Sequence, residues 1–140
     1  MNIKFSFIII DDSELDRYIT QKFLELADKR LDIKTFQSAE VALEMIREEY
    51  LEKRELPTII FLDLLMPMMT GHKFVEEFEK LPVEIKGNFM IVILTLLSVD
   101  SHPDSIYGIP ANAAINSIIE KPLTREKLTA LLERIRSANA

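Results

Sequence analysis

Residues 58–63 read TIIFLD, five β-branched or apolar residues followed directly by an aspartate. A run this continuous suits a strand covered on both faces, as in the middle of a parallel sheet, because a half-exposed strand alternates apolar with polar residues. Two more runs have the same character, FSFIII at 5–10 and FMIVIL at 89–94, and shorter ones lie at 33–36 and 115–119. The segments between them carry helical period. Leu15, Tyr18, Ile19, Phe23 and Leu26 share one face of a helix after the first run. Val41, Ala42, Met45 and Ile46 do the same behind Ser38, which is placed to cap that helix. Phe74, Val75 and Phe78 mark a third helix beginning just after Gly71, and a short polar fourth is expected between Pro103 and Gly108. The last runs from Thr124 as N-cap through Leu128, Leu131, Leu132 and Ile135, with Leu123 and Leu128 set to form a hydrophobic staple. Strand and helix therefore alternate five times, which specifies an α/β, doubly wound parallel sheet of five strands with helices on both faces.

Composition limits what such a domain does. The chain has 140 residues, the size of one domain, and 48% hydrophobic with 29% charged residues is ordinary globular composition. No cysteine is present, so disulfides and thiolate metal sites are excluded, and a reducing cytoplasm is the expected location. A net charge of -6 argues against non-specific nucleic-acid binding, which needs a basic surface. The longest apolar stretch, 89–97, falls far short of the roughly 20 residues needed to insert in a membrane. Asp11 and Asp12 end the first apolar run too early for a signal peptide. No linker divides the chain and three residues follow Ser137, so 1–140 is expected to be a single domain with no output domain.

Ligands of open α/β sheets bind beyond the carboxyl ends of the strands. Those ends read Asp11-Asp12 after the first run, Asp63 after the third, Thr95 after the fourth, and Glu120-Lys121-Pro122 after the fifth. Taken alone, Asp11-Asp12 is equally a helix cap with a spare acid, and Asp63 a loop acid. Taken together, they would crowd. Two unit charges about 4 Å apart repel by ~4 kcal/mol at an effective dielectric of 20, so three carboxylates approach ~10 kcal/mol. That rivals a domain's whole stability of roughly 5–15 kcal/mol. Protonation or a cation must relieve them, and an all-oxygen set suits Mg²⁺. Lys121 is placed to pair with a carboxylate or to bind a phosphoryl oxygen, and the Thr95 hydroxyl to reach an oxyanion beside Asp63.

These residues, with Met66-Pro67 and Gly71 between them, resemble the receiver domains of two-component response regulators over essentially the whole chain. The resemblance implies a flavodoxin-like fold with strand order 2-1-3-4-5 and Asp63 as a Mg²⁺-dependent phosphoacceptor. It implies that Asp12 ligates the metal directly, Asp11 through water, and the Leu65 backbone carbonyl as a further ligand. Lys121 would bind a phosphoryl oxygen and Thr95 would act as the switch. The donor would be a phosphohistidine on a histidine kinase or phosphotransfer protein, and the signal would leave by contact with a downstream effector protein through the last two helices and the fifth strand. Such a domain catalyses only its own phosphorylation and dephosphorylation.

Departures from the family pattern are Ile118, where Tyr or Phe is common, Leu96, where a small residue is common, and Leu65 and Leu97, where polar side chains can help place a hydrolytic water. Ile118 argues against a swinging aromatic switch, while the leucines imply slow self-dephosphorylation or else are surface variation. His72 and His102 lack an acid or second histidine at ligand spacing and read as surface residues. Among rivals, an aspartyl-phosphate phosphohydrolase of the haloacid-dehalogenase type wants Asp-x-Asp, but Ser13 stands two positions after Asp11. A flavin-binding protein would place Ser, Thr and Gly where this chain has two aspartates. A receiver-like binding module that is never phosphorylated is the strongest alternative.

Overall fold

The structure, a computed structural model, describes residues 4–51, 56–64, 66, 68–96 and 115–138. Five parallel strands, β1 (Ser6–Ile10), β2 (Ile33–Phe36), β3 (Thr58–Asp63), β4 (Phe89–Thr95) and β5 (Ile115–Glu120), form one sheet of order β2-β1-β3-β4-β5. The helices among the described residues are α1 (Glu14–Ala27), α2 (Ala39–Glu49), α3 (Gly71–Glu79), α4 (Val83–Lys86) and α5 (Arg125–Ala138). The doubly wound α/β fold expected from the apolar runs is the fold observed. β1, β3 and β4, the three continuous runs, are its central strands, and β3 is buried at every residue.

Strand alternation sorts the central side chains into two cores. Ile8, Ile10, Ile60, Leu62, Ile91 and Ile93 meet α2, α3 and α4 on one face, where the Phe74, Phe78, Phe89 and Tyr50 rings pack in a chain. Phe7, Ile9, Ile59, Phe61, Val92 and Leu94 meet α1 and α5 on the other. The caps read from sequence are present. The Ser38 hydroxyl accepts from Val41 N–H and the Thr124 hydroxyl from Lys127 N–H, while Leu123 and Leu128 lie in one core.

Three expectations need correction. On α1 the residues turned inward are Thr20 and Leu24, while Leu15, Tyr18 and Leu26 of the expected stripe are 66%, 58% and 60% exposed. The helix is rolled by about one residue, roughly 100° at 3.6 residues per turn, and this brings Asp16 to the inner side. On α2 Val41 is exposed on the outer side, and the buried face runs through Ala39, Ala42, Leu43 and Ile46. The four-residue α4 was not expected; a single turn is too short to show a period. The helix expected between Pro103 and Gly108 lies outside the described residues, as do His102, Leu65, Pro67 and Leu97.

Candidate functional site

β3 ends on Asp63, β4 on Thr95, and β1 and β5 one residue before Asp11 and Lys121. Parallel pairing in register puts all four ends on one edge: Ile10 lies opposite Leu62, Asp63 opposite Leu94, and Thr95 opposite Glu120. One carboxylate oxygen from each of Asp11, Asp12 and Asp63 lies within 4.8 Å of the others. Asp11 is 2% exposed and Asp63 7%, whereas Asp12 faces solvent.

Lys121 supplies the cation that such crowding demands. Its Nζ donates to Asp16 Oδ2 at 2.8 Å and Asp11 Oδ2 at 3.0 Å, and stands 3.7 Å from Asp63 Oδ1. Burial pushes its pKa down, but hydrogen bonds to Asp16 and Asp11 and the charges of Asp11 and Asp63 outweigh it, so the ammonium is held above its ordinary value. The stem is anchored too. Lys121 N–H donates to the Thr95 carbonyl at 2.7 Å, and Lys127 Nζ clasps the turn by donating to the carbonyls of Glu120 and Pro122 at 2.8 and 3.0 Å. Asp11 is equally fixed: its Oδ1 accepts Ser13 N–H at 3.0 Å, and its carbonyl accepts Arg17 Nη1 at 2.7 Å.

The loop after β3 closes tightly. Gly71 N–H donates to the Leu64 carbonyl at 3.0 Å. A Cβ at Gly71 would fall 2.7 Å from the Asp63 carbonyl oxygen and the Leu64 Cα, so glycine alone lets α3 start against the strand that carries Asp63. Met68 in that loop holds φ 65°, a left-handed conformation that costs a non-glycine residue on the order of 1 kcal/mol.

Asp11, Asp12, Asp63 and Lys121 are thus brought together, and Thr95 is fully buried at the end of the neighbouring strand. An all-oxygen set of this size fits Mg²⁺. Leu96 is 68% exposed beside Thr95, Ile118 packs partly buried on the α2–α3 core, and His72 is half-buried on α3. Sequence reasoning missed Asp16. In sequence it reads as an ordinary first-turn acid behind the Ser13 cap, favoured by the helix dipole, which hides its pairing with Lys121. None of the described helices is long and apolar enough to cross a membrane.

Comparison with known proteins agrees with this geometry. Residues 7–133 match the family described as response regulator receiver domain. The chain is 24% identical over 131 residues to the peroxide stress-activated histidine kinase mak1 of Schizosaccharomyces pombe, covering 94% of this chain and 8% of the kinase. It is 23% identical over 131 residues to the two-component response regulator ORR41 of Oryza sativa subsp. japonica, covering 94% of each. Among solved structures, a response regulator receiver protein from Dyadobacter fermentans matches at TM-score 0.73 and 27% identity, covering 94% of this chain and 97% of that one. A two component response regulator from Cytophaga hutchinsonii matches in fold at TM-score 0.76 and 21% identity, covering 94% and 96%. With the family's pattern matched over most of its length, the chain belongs to the response regulator receiver domains, a family of signalling modules rather than of enzymes acting on a separate substrate.

Proposed function

We propose that this receiver domain accepts a phosphoryl group on Asp63 from a phosphohistidine of a histidine kinase or phosphotransfer protein and signals by contact with a downstream effector protein in the cytoplasm. The observation that carries the reading is the Lys121 ammonium 3.7 Å from Asp63 Oδ1, at the strand ends where the Asp11 and Asp12 carboxylates also converge. Asp63 Oδ attacks phosphorus while the donor's P–N bond breaks, and the imidazole leaves with the bonding pair. Asp11, Asp12 and Asp63 would hold Mg²⁺, with the Leu65 carbonyl, and the ion supplies neutralisation of phosphoryl charge. Lys121 binds a phosphoryl oxygen as a point charge, and the Thr95 hydroxyl donates to another. Little covalent chemistry beyond this positioning is needed.

Incubation with Mg²⁺ and a small acyl phosphate, followed by intact mass, tests the reading. One acid-stable, base-labile phosphoryl group per chain is expected, absent from Asp63→Asn. Undiminished labelling of that variant overturns the assignment, and an unlabelled parent favours the binding-module alternative. The apolar Leu65, Leu96 and Leu97 further imply a long-lived phosphoryl group, which Leu65→Asn and Leu97→Glu should shorten in a decay assay.

A further inference from the structure

Lys121 donates to Asp11 and to Asp16, yet only one of these acids is poised to let go. The Asp11 side chain is 3% exposed and bonded on both oxygens, whereas the Asp16 side chain is 38% exposed and is cheaply rehydrated. Asp16 belongs to α1, and its bond to Lys121 spans 105 residues of sequence. The roll that brings Asp16 inward leaves Leu15, Tyr18 and Leu26 in solvent and only Leu24 of the helix's large apolar residues fully buried. Beside the first turns of α1, next to the ion pair, lies a cleft of about 170 Å³, open to solvent at Leu96 and bordered by Ile19, Thr20, Leu94, Pro122 and Leu123. A helix in its apolar optimum would bury that stripe and fill such a gap.

We propose that Asp16 is a positioning residue whose pair with Lys121 latches α1 in this roll, and that a phosphoryl group on Asp63 releases the latch. The release rests on the phosphoacceptor reading of Asp63; the latch itself does not. Mg²⁺ offsets part of the phosphoryl charge, but phosphoryl oxygens extend past Asp63 Oδ1, which stands 3.7 Å from Lys121 Nζ, into direct bonding reach of the ammonium, so its attraction shifts from Asp16 toward them. Asp16 then returns to water, and the first turns of α1 open more readily or roll toward the cleft. Phosphorylation state is thereby written into α1.

Amide hydrogen exchange by mass spectrometry on the full chain tests this in two arms, with far-UV dichroism to show that each variant is folded. In protein without metal or phosphoryl group, Asp16→Asn should exchange several-fold faster in the peptides of α1 and unchanged in those of α3, and Asp16→Glu should stay close to the parent. Glu14→Gln removes an acid from the same first turn without touching Lys121, and should also match the parent. Unaltered α1 exchange in Asp16→Asn, or equal acceleration in Glu14→Gln, overturns the latch. In the second arm, acyl phosphate and Mg²⁺ should accelerate α1 exchange in the parent and add nothing in Asp16→Asn. A labelled parent with no change in α1 overturns the release alone. An unlabelled parent overturns the Asp63 reading and the release with it, while the first arm still decides the latch.

Discussion

Lys121 and Glu77 each sit among three groups of opposite charge, one at the strand ends and the other along the outside of α3. Lys121, with 9% of its side chain exposed, faces Asp11, Asp16 and Asp63 at 3.0, 2.8 and 3.7 Å. Glu77 faces Lys80, Lys73 and Arg47 at 3.1, 3.3 and 3.9 Å. The distances are alike and the consequences are not. On α3 a broken contact is replaced by water, so the cluster adds little beyond ordinary exposed pairs. At the strand ends Asp11 and Asp63 have little access to water, and losing the cation leaves buried charge uncompensated. What separates a reactive site from surface charge is the cost of dissolving the pieces.

The comparison breaks most visibly at Lys121. Without Mg²⁺, Lys121→Met should lose about 3 kcal/mol of stability, the scale of breaking a buried pair by removing one partner. Saturating Mg²⁺ should restore part of this, since binding to the folded state adds stability. Denaturant melts with and without the ion give both numbers, and an equal loss in each would detach Lys121 from the metal site. Next in size is Asp12→Asn. Asp12 is exposed, so repulsion acts through water at about 1 kcal/mol for charges near 4 Å, and the variant should gain no more than this without metal while binding Mg²⁺ more weakly. A less stable metal-free variant would mean that Asp12 is not repelled by its neighbours.

Titration sharpens the contrast. Because the folded-state pKa of Lys121 is raised, its contribution is complete below the unfolded value of about 10.4 and is lost as pH rises through the folded one. The stability difference between parent and Lys121→Met should therefore shrink above that pH and be flat below it. Glu77 runs the opposite way. Hydrogen bonds from Lys80 and then Lys73 hold its carboxyl below the ordinary value, so its effect is present above about 4.3 and is lost as pH falls through the folded pKa. Glu77→Gln should be the smallest effect of all, a slight drop in melting temperature at neutral pH that fades in acid. A large drop at neutral pH would make α3's surface charge structural after all.

The central strands were legible because TIIFL, FSFIII and FMIVIL are nearly continuous apolar runs, as strands covered on both faces are. The gathering of Asp11, Asp63, Thr95 and Lys121 at one edge followed from the same parallel order, since every parallel strand ends on the same side. The roll of α1 was not legible. Its periodicity defines a stripe through Leu15, Tyr18 and Leu26, but the side turned inward carries Thr20, Phe23, Leu24 and Ala27, and contacts made across the domain, Asp16 with Lys121 among them, cannot be read from a local period. Val41 stands on the outer side of α2, about 200° round the helix from Leu43, because the inward face is the one through Ala39, Ala42, Leu43 and Ile46.

β5 pairs Ile115 with Ile91 but Ser117 with Val92, so Asn116 is skipped. A regular strand would send Ile115 and Ile118, three positions apart, to opposite faces, yet both pack on the α2–α3 core. The bulge is thus a slip joint in the chain's phase. A one-residue change of length on its N-terminal side can be taken up there, whereas the same change beyond Ser117 would turn Lys121 to the other side of the sheet. Deleting Asn116 should leave the stretch 117–121 in step with β4 and turn β5 into a regular strand in which Ile115 still lies opposite Ile91. Insertions and deletions in this part of the chain are therefore tolerated according to which side of one asparagine they fall.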